Sequence, residues 1–180
     1  MGAFSDSTGG GGDMELLYST TLTSPAASIT TDTLPTGYKS LVIDTSLRTD
    51  GSYPSNVIYG YFNGDTTASN YGYQFLIAYG ITVAAGRADV PFMTGATGAG
   101  AVTNFFGSDR IIIRDHESTV NYKTWHTTET TIVGTNSTNR NCVMVSGAWH
   151  NTAAITSVTI QDPLVNDFVA GSFVAVYGLK

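Results

Sequence analysis

Turn-forming residues divide most of this sequence into short segments, spaced at about 8 to 12 residues, that carry no helical period. The segments are rich in Val, Ile, Thr and Tyr, which favour β-strands. In residues 40–48, Leu41, Ile43 and Leu47 share one face of an extended chain, and mostly polar residues share the other. Such a chain is predicted to be all-β: an antiparallel, jelly-roll-like β-sandwich of about ten strands.

One stretch does not follow this pattern clearly. The predicted strands cover residues 16–22, 40–48, 57–62, 71–79, 110–114, 120–132, 142–149, 155–160 and 173–177. Residues 84–101 are instead rich in Gly and Ala, which are breakers or weak formers of strands. We therefore expect a loop there, with one short strand near residues 90–93.

The length of 180 residues suits one domain, which we place at residues 15–180. Residues 1–14 form a Gly-rich arm that contains the run of glycines at residues 9–12. Such a run is expected to be flexible when free, and the arm could become ordered on a neighbouring subunit. A disordered leader is the alternative. The candidate partner contacts of the arm are Phe4, Asp6 and Asp13.

The charge of the chain excludes some classes of partner. Charged residues make up only 12% of the chain, and the formal net charge is −6. Nucleic-acid binding needs clustered Lys and Arg, which are absent, so we expect no nucleic-acid partner. The first residues have neither a basic nor an apolar signal region, and no apolar run is long enough for a membrane span. We expect a chain made in the cytosol with no membrane partner.

The sequence offers few candidates for chemistry. Cys142 is the single cysteine, and its apolar neighbours predict a buried thiol rather than a nucleophile. His116, His126 and His150 lack the spacing of metal ligands, and His126 is expected on a strand face. No catalytic residue, metal or cofactor is therefore predicted, and the chain is expected not to be an enzyme.

Two polar segments are predicted to be turns. Residues 115–117 combine Asp, His and Glu, but adjacent residues in a turn point in different directions, so a solvated turn is expected. Residues 63–65 are Asn-Gly-Asp, a sequence that strongly favours a turn. They supply too few oxygen ligands for a calcium ion.

Aromatic residues give the remaining indication of function. Tyr and Trp side chains with hydroxyl and amide neighbours can stack on sugars or anchor a protein partner. They can equally fill the core and rim of a sandwich. The candidate surface or glycan contacts are Tyr59, Tyr61, Tyr73 and Trp125.

Several stretches, taken in order, resemble a known group of proteins. They are Leu-Pro-Thr-Gly-Tyr-Lys-Ser-Leu at 34–41, Ser-Leu-Arg-Thr at 46–49, Phe-Asn-Gly-Asp at 62–65 followed by Asn-Tyr at 70–71, and the segments 153–160 and 168–179. Together they are similar to the small β-sandwich virion proteins of tailed bacteriophages, which include capsid decoration (cement) proteins and related fibre modules. In that group the Phe-Asn-Gly-Asp motif forms a hairpin.

The resemblance implies a non-enzymatic role in the virion, which is assembled in the host cytoplasm. It implies a decoration protein, as a homotrimer, that binds the major capsid protein or other virion proteins and stabilises the shell. The alternative is a tail-fibre or head-fibre module that binds a host-surface glycan or receptor. The group carries no catalytic residues to transfer to this chain.

Overall fold

The structure is a computed structural model that describes residues 14–132, 134 and 140–180. The predicted arm contacts Phe4, Asp6 and Asp13 lie outside these residues, whereas Met14 already begins the first strand. The strands are β1 (Met14–Thr21), β2 (Ser28–Thr30), β3 (Ser40–Leu47), β4 (Ser55–Phe62), β5 (Tyr71–Tyr79), β6 (Thr82–Ala88), β7 (Phe92–Thr97), β8 (Gly107–Arg114), β9 (Lys123–Ile132), β10 (Arg140–Trp149), β11 (Val158–Gln161) and β12 (Phe173–Leu179). Within the described ranges, no helix is long and apolar enough to cross a membrane.

The strands form two sheets of unequal size. The larger sheet has eight strands in the order β1-β12-β3-β8-β9-β10-β5-β6, and the smaller has four in the order β2-β11-β4-β7. All neighbouring strands are antiparallel, and the chain passes repeatedly from one sheet to the other. The predicted antiparallel β-sandwich is confirmed, with twelve strands where the sequence predicts about ten.

The alternation of side chains explains how the larger sheet packs. In β8 every second residue from Gly107 to Ile113 is buried, and in β10 every second residue from Asn141 to Trp149. Successive residues of a strand point to opposite faces, so one face of the sheet meets the smaller sheet while the other meets solvent.

Four aromatic side chains form the centre of the core. The ring of Phe62 lies edge-on to Trp149 and Trp125, with centroid distances of 5.5 Å and 5.8 Å, and Tyr71 stacks on Trp149 at 6.4 Å. Edge-to-face and offset pairs are the favourable geometries for aromatic rings. Because Trp125 is only 2% exposed, the prediction that it is a surface contact is wrong.

The Asn-Gly-Asp segment is a turn, as predicted, but it joins β4 and β5 in different sheets. The hairpin that the resemblance implies is therefore wrong. Asn63 and Gly64 have φ values of 53° and 71°, in the left-handed region. Asp65 accepts hydrogen bonds of 2.8 Å from Trp149 Nε1 and Asn70 Nδ2. Burial raises the pKa of Asp65, but these hydrogen bonds outweigh burial and lower the pKa below its usual value.

The Gly- and Ala-rich segment at residues 84–101 holds more strand than predicted, because residues 84–88 belong to β6 and residues 92–97 to β7, in different sheets. The short strand predicted near residues 90–93 overlaps the start of β7. The small side chain at Gly95 lets β7 lie very close to the larger sheet, because a Cβ there would overlap the carboxyl group of Glu129.

The segment at residues 115–117 is a turn, as predicted, but it is solvated only in part, because Asp115 is exposed whereas His116 is only 1% exposed. Burial lowers the pKa of this histidine. Lys123, which is also fully buried, donates from its Nζ to three backbone carbonyl oxygens in the adjoining loops, at 2.6 to 3.1 Å. The predicted strand at residues 120–132 begins only at Lys123. The ammonium group of Lys123 therefore holds these loops together.

The packing of Trp125 yields a first prediction. A Cβ at Gly147, on the neighbouring strand, would overlap the indole ring of Trp125. We expect Gly147→Ala to lower the free energy of unfolding by about 1 to 3 kcal/mol, because the ring must move in a packed core. Gly72→Ala is the matched control, since a Cβ there would meet no atom nearer than 3.6 Å. Urea unfolding measures both variants, and equal stabilities would contradict this packing.

Candidate functional site

A cavity of about 260 Å³ opens where the edge of the smaller sheet meets the inner face of the larger one. Strands β4, β5, β7, β9 and β10 all contribute to it. Its lining consists of Ser55, Asn56, Val57, Tyr73, Phe75, Ile77, Gly95, Glu129, Asn141 and Val143. The lining therefore combines apolar and aromatic side chains with amide and carboxyl groups.

Three of the polar lining residues have buried oxygen atoms without a hydrogen-bond partner. Glu129 is 4% exposed, Asn56 5% and Asn141 6%, and the unpartnered atoms are Glu129 Oε2 and the Oδ1 atoms of both asparagines. Each such atom costs about 1 to 3 kcal/mol, so buried polar atoms are normally paired. The concentration of three of them around one cavity marks this place as a candidate site.

Glu129 also lies directly opposite a second buried acid, Asp109 of β8. Asp109 accepts hydrogen bonds from the hydroxyls of Thr94 and Thr45 and from the backbone N–H of Thr130. Burial raises the pKa of Asp109 to about 7, although these hydrogen bonds lower it. Burial and, secondly, the charge of Asp109 raise the pKa of Glu129 to about 8. Asp109 is thus satisfied, and Glu129 is not.

The arrangement of the two acids does not match that of a glycosidase. Glycosidases need two carboxyl groups on either side of the scissile bond. Here the acids sit on adjacent strands of one sheet, and of the two only Glu129 lines the cavity. Among the described residues, no group of three or more His, Cys, Asp or Glu side chains could hold a metal ion.

A broader depression of about 640 Å³ lies on the outer face of the larger sheet. Its ion pair is exposed and complete: Arg110 donates two hydrogen bonds of 2.7 Å to the carboxylate of Asp44. His126 lies on this face, as predicted for a strand-face histidine. Because the depression is open and its central ion pair is complete, the inter-sheet cavity is the stronger candidate for a small ligand.

A second notable surface is the hairpin of β5 and β6. Strand β7 packs on β3, β8, β9 and β10, and the hairpin extends past it at the end of the larger sheet. Ile81 at its tip is 98% exposed, Val83 67% and Leu76 49%. The outer apolar patch, defined by shared register on β5, β6 and β10, consists of Leu76, Ala78, Val83, Ala85, Cys142 and Met144. Cys142 is exposed in this patch, so the predicted buried thiol is wrong.

The β6 edge differs from the other sheet edges. Strand β1 has a register shift after Leu16 and an ion pair between Glu15 and Lys180, β2 has only three residues, and residues 93–97 of β7 are all buried. Bulges, charges, shortness and coverage are the devices that protect edges from pairing. Strand β6 pairs with β5 without a register shift, is largely exposed and carries one charged residue, Arg87.

The predicted aromatic contacts are only partly brought together. Tyr59, Tyr61 and Tyr73 are half-buried. Tyr73 lines the cavity and stacks on Phe75 at 6.0 Å, and Tyr59 packs in the same small apolar cluster. Glu129 was not among the site residues predicted from the sequence, although the two-residue period places it on the same inward face as Trp125. That alternation was the signal that could have found it.

No protein-family model matches this chain, and no curated protein matches it. The sequence motifs and the geometry of the molecule therefore carry the functional proposal.

The buried acid pair yields a second prediction. In the folded chain the pKa values of Glu129 and Asp109 are raised from 4.5 and 3.8, so the folded state binds protons more tightly than the unfolded state. This contribution to stability is full below about pH 4 and is lost as the pH rises through about 7 to 8. We expect Glu129→Gln to raise the thermal midpoint by about 5 °C at about pH 8.5, and by much less at about pH 5.

Differential scanning calorimetry at both pH values measures the effect. Asp32→Asn, which removes an exposed carboxylate outside the cavity lining, is the control. A change in the midpoint of Glu129→Gln that is the same at both pH values would contradict the raised pKa.

Proposed function

We propose that this chain is a non-enzymatic structural protein of a bacteriophage particle, a capsid decoration protein that binds the outer capsid surface and stabilises the shell. The observation that carries the proposal is the β5–β6 hairpin, with its outer apolar patch and its unprotected edge. A long, exposed, apolar edge strand promotes pairing with another chain. The hairpin therefore supplies an attachment surface for protein.

The resembling stretches support the proposed virion role, and several of their residues hold the frame of the sandwich together. Arg48 donates from its guanidinium to the backbone carbonyls of Val102 and Phe105, at 3.0 Å and 2.8 Å. Leu34 and Phe168 are buried in the core. The motifs thus define the frame of the sandwich, which explains why a chain can share them with a structural family.

The proposed occupant of the outer apolar patch is a second copy of this chain, in the homotrimer that the resemblance implies. The whole chain carries a net charge of −6, so its copies repel one another over most of their surfaces. From Tyr71 to Ala88 the one charged residue is Arg87. Copies that meet at this hairpin therefore bring no acidic groups of β5 or β6 together, and a trimer would hold the capsid through several modest contacts.

A second candidate function is a fibre module that binds a host-surface glycan. The observation in its favour is the stacked pair of Tyr73 and Phe75 beside the open cavity, with the rings of Tyr59 and Tyr61 in edge contact at 6.3 Å nearby. Aromatic rings beside polar groups are suited to sugars. A glycan array with the purified protein tests this function, and binding no stronger than background counts against it.

Self-association through the hairpin yields a third prediction. Val83→Asp places a charge in the outer apolar patch of each copy, so we expect a trimeric wild type and a monomeric variant. Val120→Asp is the matched control, because Val120 is 80% exposed in the loop before β9. Analytical ultracentrifugation gives the masses. A monomeric wild type, or a Val83→Asp protein that stays trimeric, would contradict the proposed interface.

Attachment to the particle is a fourth prediction. The purified protein should co-sediment with capsids of the phage that encodes it, prepared without this protein, and should raise the temperature at which those capsids open. Val120→Asp should behave as wild type in both measurements. A protein that stays in the supernatant and leaves capsid stability unchanged would overturn the decoration role.

A further inference from the structure

The cavity between the sheets is built to accept hydrogen-bond donors. Its three unpartnered buried atoms are Glu129 Oε2, Asn56 Oδ1 and Asn141 Oδ1, and all three are oxygen acceptors. A carboxylate oxygen and an amide Oδ1 can accept hydrogen bonds but cannot donate them. A ligand that satisfies the site must therefore bring several N–H or O–H groups to these oxygens.

The charge of the surroundings favours a cationic donor. Two acids, Glu129 and Asp109, are buried side by side, and neither forms an ion pair in the described part of the chain. Among the described residues that line the cavity, none is Lys, Arg or His. A buried carboxylate without a counter-charge is costly, and a cation brought next to it would repay much of that cost.

The apolar part of the lining sets the body of the ligand. Val57, Ile77 and Val143 give it aliphatic surface, and Tyr73 and Phe75 add two stacked rings. A calcium ion would need about six to eight oxygen ligands and no apolar wall, so it does not fit this lining. An alkyl or aryl group does, and an ammonium next to aromatic faces gains a further attraction.

We propose that the inter-sheet cavity binds a primary ammonium group carried on a short apolar body. The three N–H donors of such an ammonium match the three unpartnered oxygens in number. A free alkylamine and the lysine side chain of a partner protein share this chemistry. The site is separate from the outer apolar patch, so failure of this proposal and failure of the decoration role can be distinguished.

The affinity of the site for a cation depends on the protonation of its acids. Asp109, opposite Glu129 on the neighbouring strand, and Tyr73, elsewhere in the lining, are the titratable groups at the site among the described residues; the lining residues of β4, β7 and β10 do not titrate. Burial raises the pKa of Tyr73 above its usual value, so this phenol stays neutral as the acids ionise. Both acids gain negative charge between about pH 6 and pH 9, and binding of a cation should tighten over this range.

An NMR titration of the full chain tests the proposal, with n-butylamine as the probe and 1-butanol as its neutral control. We expect n-butylamine to bind at least about tenfold more tightly than 1-butanol at about pH 9, and to lose most of that preference at about pH 6. The amide signals of Asn56 and Asn141 should shift on binding. A second arm uses Nα-acetyl-lysine methylamide: if it binds as well, the site admits a partner's lysine, and if only n-butylamine binds, it admits a free amine.

Two variants make the outcome decisive. Glu129→Gln keeps the shape of the side chain and removes its charge, so it should bind both probes with similar affinity. Asp32→Asn should retain the wild-type preference, and Asn141→Ala should weaken n-butylamine more than 1-butanol. The proposal is overturned if wild type does not prefer n-butylamine, or if folded Glu129→Gln keeps the full preference.

Discussion

Four strands pack against eight in this sandwich, and most of its other properties depend on that mismatch. The main core forms where the two sheets overlap, around Phe62, Trp125 and Trp149. At the edge of the overlap a second, smaller apolar cluster forms around Val143 and Val145. Beyond it, at the end of the larger sheet, the β5–β6 hairpin presents apolar residues to solvent on its outer face. The cavity follows from the incomplete overlap of the two sheets, whereas the outer apolar patch lies on the face of the larger sheet that points away from the smaller one.

The margin of the overlap is also where the chain departs from the usual rules of a core. Glu129 and Asp109 are buried beside one another, and three oxygen atoms lining the cavity have no partner. The apolar centre of the same molecule shows that the sequence can build a conventional core. Local costs of this kind tend to be retained where they serve binding. The polar margin and the apolar hairpin are the two separate binding surfaces that we propose, one for a small cationic group and one for protein.

The two-residue alternation allowed the sequence to predict the fold class and most of the strands, because it alone decides which residues face inward. The same alternation places Cys142 outward and Glu129 inward, but apolar neighbours and a Thr-rich context obscured both. The exposure of Trp125 could not be decided locally, since strands carry aromatic residues on either face. Sheet membership depends on pairing between distant segments, so residues 62–71 resembled a hairpin although they connect two sheets. The closeness of β7 to the larger sheet likewise explains a Gly/Ala composition that resembles a loop.

The central claim is that the uncovered hairpin is where this protein meets another protein chain. Hydrogen exchange tests this claim directly. Mass spectrometry detects the exchange, both in the assembled protein and at a dilution that dissociates it. We expect assembly to slow exchange at the amides of β6, Thr82–Ala88, whereas the amides of β1 should exchange equally fast in both states. Unchanged exchange in β6, with new protection at β1 or elsewhere, would contradict it.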